Sequence, residues 1–495
     1  MQFNRVSLLV VALSAALGCQ KSSAKDPGAT AGAKTSGLVK LSQYDKAGFC
    51  DLAVASDGTL HAIFNEAPDA MKPSYLYYRS SSDGGTTWSE IKNLSDDESG
   101  NSCGYARIAI DGKGRAYAIW KYIGKNELLD GPGAAGAGIL AFRCLEGGTW
   151  SRTTRLNEVK TPVYSWFAAP GPGGAINLVW SQMAADAMAV QGWPSAMTAD
   201  LIQQVVLDGP TSGSPKMVIP RKPLPTQAQI AAAHANHKDF SYEETHPGKA
   251  GLLNLRGYID PAGTAVFVAE DFGTETDKEH GKHIVLWDGK ALQPLYAYER
   301  FQTYNNFNDP PTLLLDAEGK QHVIRAPEKA EKASVRDYAV EGGKWSDPVD
   351  VIAAKGGKGA VIHWQATQLP GGKMAVTTAL SETGGWAPED TELFVSFSDG
   401  LGKWSAPLRI TDNVSLQNFS HKETGGSNAI SSSKSYSPHF ANVQMTKEGR
   451  PCILMVNSEN TLIGITNAGV TSGGRVVSGL STGRVSSPNV YFLKW

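Results

Sequence analysis

The chain has 495 residues, and 41% of them are hydrophobic, which is enough to bury a core of more than ordinary domain size. Lys and Arg number 46 against 48 Asp and Glu, so the net charge of −2 argues against a basic nucleic-acid-binding face. The 53 glycines lie mostly in short clusters between apolar runs, a distribution typical of many short strands rather than of disorder.

The first segment along the chain is predicted to be a targeting signal. Arg5 precedes an apolar stretch, Val6 to Leu17, that is too short to span a bilayer. The stretch ends in Ala-Leu-Gly-Cys at Cys19, which resembles a bacterial lipobox, and the resemblance implies that Cys19 is lipidated. An ordinary secretory signal with an incidental cysteine is the alternative. We therefore expect a lipoprotein signal peptide at 1–19 and a flexible tether, rich in Lys, Ser, Ala and Gly, at 20–37.

The residue after Cys19 bears on the destination of the protein. It is Gln20 rather than Asp, and by resemblance to proteobacterial lipoproteins this implies the outer membrane of a Gram-negative bacterium. Export would also place the four remaining cysteines in an oxidising compartment. They show no Cys-x-x-Cys spacing, so a zinc ribbon is not expected.

Seven segments of the remaining chain share one layout: an apolar alternating run, a turn with glycine, and a second apolar run. The turn glycines are Gly58, Gly114, Gly174, Gly263, Gly319, Gly372 and Gly449. Their spacing of 53 to 89 residues, with β-rich units, predicts an all-β fold, a β-propeller of six or seven four-stranded blades, with seven favoured. Each segment would form the two inner strands of one blade.

A second hairpin follows the first in most units. The clearest has Ser81, Asp83, Gly85, Thr87 and Trp88 at the spacing of an Asp-box, and degenerate copies occur at 145–150, 340–345 and 398–404. With these turns the chain resembles the sialidase (BNR-repeat) superfamily over about 38–495. The resemblance implies a propeller whose Asp-box turns are structural and lie on the face away from the active site.

Two segments fall outside the repeat. Residues 38–42 look like a strand without a blade, and we expect them to close the ring beside the C-terminal segment 489–495. An insertion at about 183–250 is predicted to be partly helical, because residues 226–237 have a helix-like pattern. The repeat predicts no place for residues 468–487.

No metal or other cofactor is assigned. His234 and His237 would share one face of the predicted helix and suit a metal, but a solvated loop is the simpler interpretation. The acidic run at 96–98 would suit Ca²⁺, although exposed acidic runs are usually only solvated.

The position of candidate site residues follows from aligning the seven units on their glycines. The residues eight and six before each glycine are apolar, whereas those seven before it are mostly polar. Because alternate residues of a strand point to opposite sides, this polar row is predicted to line the central channel. The row consists of Asp51, Arg107, Phe167, Arg256, Thr312, Gln365 and Asn442.

Further polar residues stand where the second strands end and where loops lead into the first strands. They include Glu66, Glu270, Arg325, Tyr304 and His363. One face of the disc is therefore predicted to be a polar funnel, of the kind that binds sugars or acidic ligands. Cys50 and Cys103 lie near the start of neighbouring inner strands, and we predict a disulfide between them.

The resemblance to sialidases suggests roles for these residues. Sialidases bind a sugar carboxylate with three arginines, and they use a Tyr–Glu pair as nucleophile and an Asp as acid/base. By this analogy Arg107, Arg256 and Arg325 are predicted to bind the ligand, assisted by Gln365 and His363. Candidate catalytic residues are Asp51, Glu66, Glu270 and Tyr304.

The match to the sialidase motif is incomplete around the first arginine. Arg107 and Ile108 keep the Arg-Ile pair, but Ala106 replaces the aromatic residue before it and Ala109 replaces the following proline. The alternative is that the arginines pair with neighbouring acids and only fill the channel.

The sequence thus predicts an envelope lipoprotein whose propeller binds an acidic glycan at the channel mouth. If the protein is an enzyme, a sialidase-like glycoside hydrolase is the favoured class. A polysaccharide lyase would need a Tyr or His base near an arginine, which Tyr304 and His363 would supply. A non-catalytic scaffold for another envelope protein is the alternative of a different class. The expected partners are a glycan and, through the lipid anchor alone, a membrane.

Overall fold

The structure is a computed structural model, and part of the chain is described. The described residues are 38–68, 72–95, 102–123, 138–157, 163–182, 201–219, 228, 252–271, 283–297, 310–327, 333–355, 359–381, 391–411, 419–423, 428–470 and 476–494. Cys19, the tether, Tyr304, the acidic run at 96–98 and the histidine cluster lie outside them. Within the described ranges, none of the helices has the length and hydropathy that a membrane span requires.

Seven antiparallel sheets form a seven-bladed β-propeller, which confirms the favoured blade count. Strand β1 (Val39–Lys40) precedes the blades along the chain. Blade 1 contains β2 (Ala47–Val54), β3 (Leu60–Glu66), β4 (Tyr75–Ser81) and β5 (Lys92–Asn93). Blade 2 contains β6 (Ser102–Ile110), β7 (Ala116–Ile123), β8 (Ile139–Glu146), β9 (Thr149–Trp150) and β10 (Thr154–Arg155).

The next blades repeat this order. Blade 3 contains β11 (Val163–Pro170), β12 (Ile176–Gln182), β13 (Leu201–Asp208), β14 (Thr211–Ser212) and β15 (Lys216–Ile219). Blade 4 contains β16 (Leu252–Ile259), β17 (Ala265–Asp271), β18 (His283–Trp287) and β19 (Leu292–Ala297). Blade 5 contains β20 (Thr312–Leu315), β21 (Gln321–Arg325), β22 (Ser334–Glu341), β23 (Lys344–Trp345) and β24 (Val349–Ala353).

The last two blades complete the ring. Blade 6 contains β25 (Ala360–Gln368), β26 (Met374–Ser381), β27 (Thr391–Phe397) and β28 (Leu408–Arg409). Blade 7 contains β29 (Phe419–Glu423), β30 (Asn428–Met445), β31 (Pro451–Val470) and β32 (Val476–Lys494), together with β1. Single 3₁₀ turns, Pro172–Gly174 and Pro370–Gly372, join the inner strands of blades 3 and 6.

The seven turn glycines are where the sequence places them, between the inner strand of each blade and the next strand along the chain. All seven have positive φ, from 72° at Gly372 to 94° at Gly58, a conformation that glycine adopts at little cost. We call the face that carries these turns the lower face. The face at which the inner strand of each blade begins is the upper face.

The ring is closed by the two ends of the propeller. Strand β1 pairs with β32 through Val39↔Phe492 and Lys40↔Tyr491, as the sequence predicts. The pairing gives blade 7 its outermost strand and covers an edge that would otherwise be open.

Blade 7 is longer than the others. Its strands β30 and β31 pair from Met445↔Pro451 up to Asn428↔Asn467, and β31 and β32 pair up to Val470↔Val476. Because β30 runs from the upper to the lower face, its first half extends the sheet beyond the upper face. Residues 468–470 and 476–487, which the repeat does not place, belong to this extension.

Apolar cores lie between neighbouring blades, and seven such clusters join the ring. The side chain eight before each turn glycine faces the preceding blade: Cys50 packs in the core between blades 7 and 1, and Trp166 in the core between blades 2 and 3. Large side chains such as Trp120 and Phe267 are fully buried there. Each contributes about 1.5–3 kcal/mol by burial.

The predicted disulfide between Cys50 and Cys103 is not formed. The Cys50 thiol lies 3.6 Å from the carbonyl oxygen of Leu454 in the core between blades 7 and 1. Cys103 lies in the next core, between blades 1 and 2. The prediction was wrong because both side chains point the same way around the ring, so neighbouring positions do not face each other.

The region predicted as an insertion, about 183–250, contributes strands of the propeller. Its described part, 201–219, supplies the outer strands of blade 3, and β13 pairs with β12 from Gln182↔Leu201 to Ile176↔Leu207. The prediction was wrong for this part because the turn after β13 has Ser212 where the degenerate Asp-box copies of blades 2 and 5 have Trp150 and Trp345.

The turn at residues 81–88 has the structural role expected of it. The Asp83 carboxylate accepts hydrogen bonds from the Ser81 hydroxyl at 2.8 Å and from the Thr87 amide at 2.9 Å. The Ser81 hydroxyl in turn accepts the Gly85 amide, and the Trp88 ring packs edge-on against Phe492. Strand β4 runs parallel in direction to β2, so this turn lies on the lower face.

Candidate functional site

The polar row predicted for the channel lies on the propeller axis. All seven of its residues border one cavity of about 670 Å³. The residues two positions further along each strand, which share the same parity, border it too. They are Ala53, Ala109, Ala169, Tyr258, Leu314, Thr367 and Gln444. The inner strands therefore line the channel cavity, and residues between these two rows, such as Leu52 and Ile108, border it as well.

A second, smaller pocket lies above this channel cavity at the upper face, and we call it the upper pocket. It encloses about 40 Å³. Arg107, Arg256, Gln365, Trp166 and Trp364 border both spaces and form the wall between them.

The upper pocket owes its shape to β-bulges that recur at the start of the inner strands. The register shifts between Gly104 and Arg107 in blade 2 and between Leu253 and Arg256 in blade 4, and similar shifts occur in blades 1, 3, 6 and 7. A bulge inserts an extra residue and re-aims its side chain. The residues nine before the turn glycines, which lie in these bulges, all border the pocket in five blades: Phe49, Tyr105, Ser165, Asn254 and His363.

Two of these bulge residues have strained backbones. Among the described residues, Tyr105 (φ 54°) and Asn254 (φ 57°) are the non-glycine residues with positive φ. A positive φ is unusual for a bulky aromatic residue, and such strain concentrates at functional sites. Each stands two residues before an arginine of the pocket, so the bulges fix Arg107 and Arg256 together with the residues above them.

The guanidinium groups of the two arginines are held mainly by backbone carbonyls. The Arg256 Nη1 donates to the carbonyl oxygens of Trp166 and Leu255, both at 2.8 Å, and the Arg107 Nη1 donates to that of Ala106 at 3.1 Å. These bonds orient the charges without neutralising them. Burial lowers the pKa of Arg256 to about 9, and the charge of Arg107 acts in the same direction.

Asp51 is the acid associated with this pair, and it borders the channel cavity rather than the upper pocket. Its carboxylate accepts the Ile108 amide at 2.9 Å and the Asn442 side-chain amide at 2.7 Å. Burial raises the pKa of Asp51, and the charges of Arg107 and Arg256 oppose that rise.

Lys121 adds a third basic group. It lies on β7, is only 2% exposed, and borders the upper pocket. Its Nζ donates to the carbonyl oxygen of Tyr164 at 2.7 Å and stands 4.3 Å from the centre of the Tyr105 ring. Burial lowers the pKa of Lys121 to about 7, and the charge of Arg256 adds to the effect.

Two predicted catalytic acids have structural partners instead. Glu66 is fully buried and accepts the backbone amides of Gln43 and Tyr44, so it holds the segment after β1. Glu270 accepts the Asn254 side-chain amide at 2.6 Å. Neither carboxylate borders the upper pocket or the channel cavity. Glu270 thus binds the bulge residue Asn254 and does not border the upper pocket.

Of the three arginines predicted to converge on one site, two, Arg107 and Arg256, border the upper pocket. Arg325 is buried at the end of β21, with its guanidinium carbon 5.9 Å from the centre of the Trp345 ring, and it borders neither space. Arg325 is six residues after its turn glycine, whereas Lys121 is seven after its own, so their side chains leave opposite sides of equivalent strands. His363 and Gln365 do border the upper pocket, as predicted.

Sequence reasoning missed Tyr105 and Asn254 as site residues, and it counted Lys121 only among the polar residues where the second strands end. Lys121 carries the clearest signal, because it is a single charged residue within the apolar strand Ala116–Ile123. Tyr105 and Asn254 carry none, because a bulge has no fixed residue pattern. Among the described residues, no group of three or more His, Cys, Asp or Glu side chains is placed to hold a metal ion.

No protein-family model matches this chain, and no curated protein matches it. Several solved structures are similar at low identity. An α-L-arabinanase from Penicillium chrysogenum, complexed with arabinobiose, is 15% identical with a TM-score of 0.43, over 73% of this chain and 96% of that chain. The NanB sialidase from Streptococcus pneumoniae is 12% identical with a TM-score of 0.40, over 92% and 69%. An ulvan lyase of family PL25 is also 12% identical with a TM-score of 0.40, over 69% and 77%. At these identities the likeness extends to the fold alone.

Proposed function

We propose that this protein binds an acidic glycan through the upper pocket. The observation that carries the proposal is the charge of the pocket. Arg107, Arg256 and Lys121 border it, and none of the described residues that border it has a carboxylate. Fixed cationic groups at the border of a pocket favour an anionic ligand, and arginine pairs carboxylates in a bidentate geometry.

The size of the upper pocket supports a ligand that places only its charged group inside. A volume of about 40 Å³ holds a few water molecules, or a carboxylate or sulfate group, but not a sugar ring. The ring of the sugar would then rest at the mouth of the pocket, where the strained Tyr105 and the histidine of the bulge row, His363, stand.

Hydrolysis by paired carboxylates has little support. The oxygens of Asp51 are engaged by Ile108 and Asn442, and Glu66 and Glu270 face other groups. A glycosidase of that kind needs two carboxyl groups flanking the bond that breaks. We therefore propose binding as the primary function of the upper pocket, and the attachment of the protein to the envelope through Cys19 remains part of the proposal.

The proposal is tested by measuring affinity calorimetrically for oligosaccharides that carry a carboxylate, a sulfate or no charge. We expect Arg107→Ala and Arg256→Ala each to weaken binding of the acidic ligands roughly ten- to hundredfold, as for loss of a charged hydrogen bond. Arg107→Lys should not restore it, because lysine lacks the planar fork of donors.

The matched control is Arg336→Ala. It removes an arginine of β22 that pairs with Asp350 of β24, and it should leave the affinity for acidic ligands unchanged. If the pocket variants bind as the parent does yet melt at a lower temperature, the arginines only fill the channel. The non-catalytic scaffold would then be the better interpretation.

A further inference from the structure

Two titratable groups of the upper pocket face each other within blade 2. Tyr105 comes from the bulge of β6, and Lys121 comes from the neighbouring strand β7, with its Nζ 4.3 Å from the centre of the Tyr105 ring. The bond from the Lys121 Nζ to the carbonyl oxygen of Tyr164 fixes the amine, and the bulge fixes the phenol. The pair is therefore preorganised at the edge of the pocket that the arginines border.

The surroundings shift the pKa values of Tyr105 and Lys121 in opposite directions. Burial raises the pKa of Tyr105, so the phenol stays protonated at neutral pH. Burial and the charge of Arg256 lower the pKa of Lys121 to about 7, so the neutral amine is populated near neutral pH. A neutral amine accepts a proton and a protonated phenol donates one, and such divergent pairs typically mark an acid and a base.

The arginines decide which proton this pair can move. A carboxylate bound between Arg107 and Arg256 becomes more negative when the carbon beside it loses its proton. Fixed guanidinium charges then stabilise the developing charge more than they stabilise the ground state. The chemistry that suits the pocket is therefore proton removal next to a carboxylate, a step that requires no carboxylate from the protein.

We propose that the upper pocket cleaves a 4-linked hexuronate glycan by β-elimination, with Lys121 as the base and Tyr105 as the acid. This inference rests on the proposed function, since it takes the ligand to be an acidic glycan. In the step, the bond between C5 and its hydrogen breaks and the proton moves to the Lys121 Nζ.

The electron pair left by that proton forms the C4=C5 double bond. The bond between C4 and the glycosidic oxygen breaks, and that oxygen leaves with the proton of the Tyr105 hydroxyl. Loss of a proton from the Lys121 ammonium to solvent and uptake of a proton from solvent by the Tyr105 phenolate restore both groups. No water, oxidant or metal is consumed.

Among the described residues, the remaining titratable and charged groups that border the pocket are Arg107, Arg256, Tyr164, His363 and Cys50, with Asp51 below the arginines. The carbonyl oxygen of Tyr164 holds Lys121, so its contribution is positional. His363 belongs to the blade 6 bulge and is the rival base, which the test below separates from Lys121.

The experiment incubates the full chain with a 4-linked polyuronate and follows the ultraviolet absorbance of the conjugated double bond, together with product masses. Elimination products sum to the mass of the parent glycan, whereas hydrolysis products exceed it by one water. We expect unsaturated products, and a rate that rises with pH through about 7 as Lys121 loses its proton.

The decisive variant is Lys121→Arg, which keeps the positive charge but accepts no proton near neutral pH. We expect it to retain affinity and to lose elimination by roughly a hundredfold or more, and Tyr105→Phe to lose a similar factor. Lys113→Arg, at an exposed lysine on the lower face, is the matched control and should change neither quantity. If Lys121→Arg does not fold, Lys121→Met and the pH–rate profile of the unaltered chain carry the test.

The outcomes separate this inference from the proposed function. Binding of polyuronates without any unsaturated product would overturn the elimination and leave the binding function intact. Products that exceed the parent by one water would also overturn it, as would loss of elimination in His363→Gln but not in the Lys121 variants. Failure to bind any acidic glycan would overturn both proposals.

Discussion

His322 of β21 is buried between two carboxylates on the lower half of blade 5. Its Nδ1 lies 3.0 Å from the Asp337 carboxylate and its Nε2 3.4 Å from that of Asp316, while Asp337 also accepts the Trp404 indole N–H at 2.8 Å. Burial acts to lower the pKa of His322, but the hydrogen bonds and charges of Asp337 and Asp316 outweigh it and raise the pKa. Protonation of His322 therefore stabilises the folded state.

This arrangement predicts how stability depends on pH. A folded-state pKa above the unfolded value of about 6.5 stabilises the fold fully below that value, and the contribution is lost as pH rises through the folded pKa. His322→Gln should therefore be less stable than the parent near pH 6, and the difference should shrink as the pH rises above about 6.5. Denaturant unfolding at each pH measures it, and a difference that grows with pH would contradict the assignment.

Single residues also show how far the sequence can predict the site. Asp51, Arg107, Arg256 and Gln365 follow from strand parity, because a strand that lines the axis must present alternate residues to it. The lowered pKa of Lys121 does not follow from the sequence, since it comes first from burial and then from the charge of Arg256, which belongs to another blade. Tertiary proximity of this kind has no signature in the local sequence.

At the scale of elements, turns determined which strands could be recognised. The Asp83 turn of blade 1 was found because its carboxylate needs a fixed set of donors, Ser81 and Thr87. The outer strands of blade 3 were missed because their turn lacks the tryptophan of the pattern, and its Asp208 carboxylate accepts a hydrogen bond from Arg115 of blade 2. The bulges were missed because the extra residue can be of almost any type, as the pair Tyr105 and Asn254 illustrates.

The turn itself can be tested. Asp83→Ala removes the acceptor of the Thr87 amide and of two hydroxyl groups, and it should lower the melting temperature by roughly 1–3 °C. Affinity at the upper pocket should not change, because the turn lies on the opposite face. Asp57→Ala, which removes the acceptor of the Thr59 amide in a nearby turn, is the control and should have the smaller effect. A loss of affinity without a change in melting temperature would contradict this placement.

At the scale of the whole molecule, ring closure was predictable and the disulfide was not. A propeller with an open ring would expose unpaired strand edges. The strand predicted at 38–42 was therefore expected to pair with the C-terminal strand, as β1 does with β32. The two cysteines required knowledge of the direction in which side chains leave the strands around the ring. That direction is a property of the assembled blades, and spacing along the chain does not contain it.

The lipid anchor is the remaining prediction at this scale. Cys19→Ser removes the thiol that lipidation requires, so the protein should move from the membrane fraction to the soluble fraction while it keeps its melting temperature and its affinity for acidic glycans. Fractionation followed by immunoblotting measures this. Retention of the variant in the membrane fraction would show that something other than Cys19 holds the protein there.

The direction of β1 has a consequence for how an anchored propeller would stand. Strand β32 runs from the upper to the lower face, and β1 is antiparallel to it, so the chain enters β1 from the lower side. A tether that begins at a membrane would therefore join the propeller at its lower face. The upper pocket would then lie on the face of the propeller opposite the attachment point of the tether.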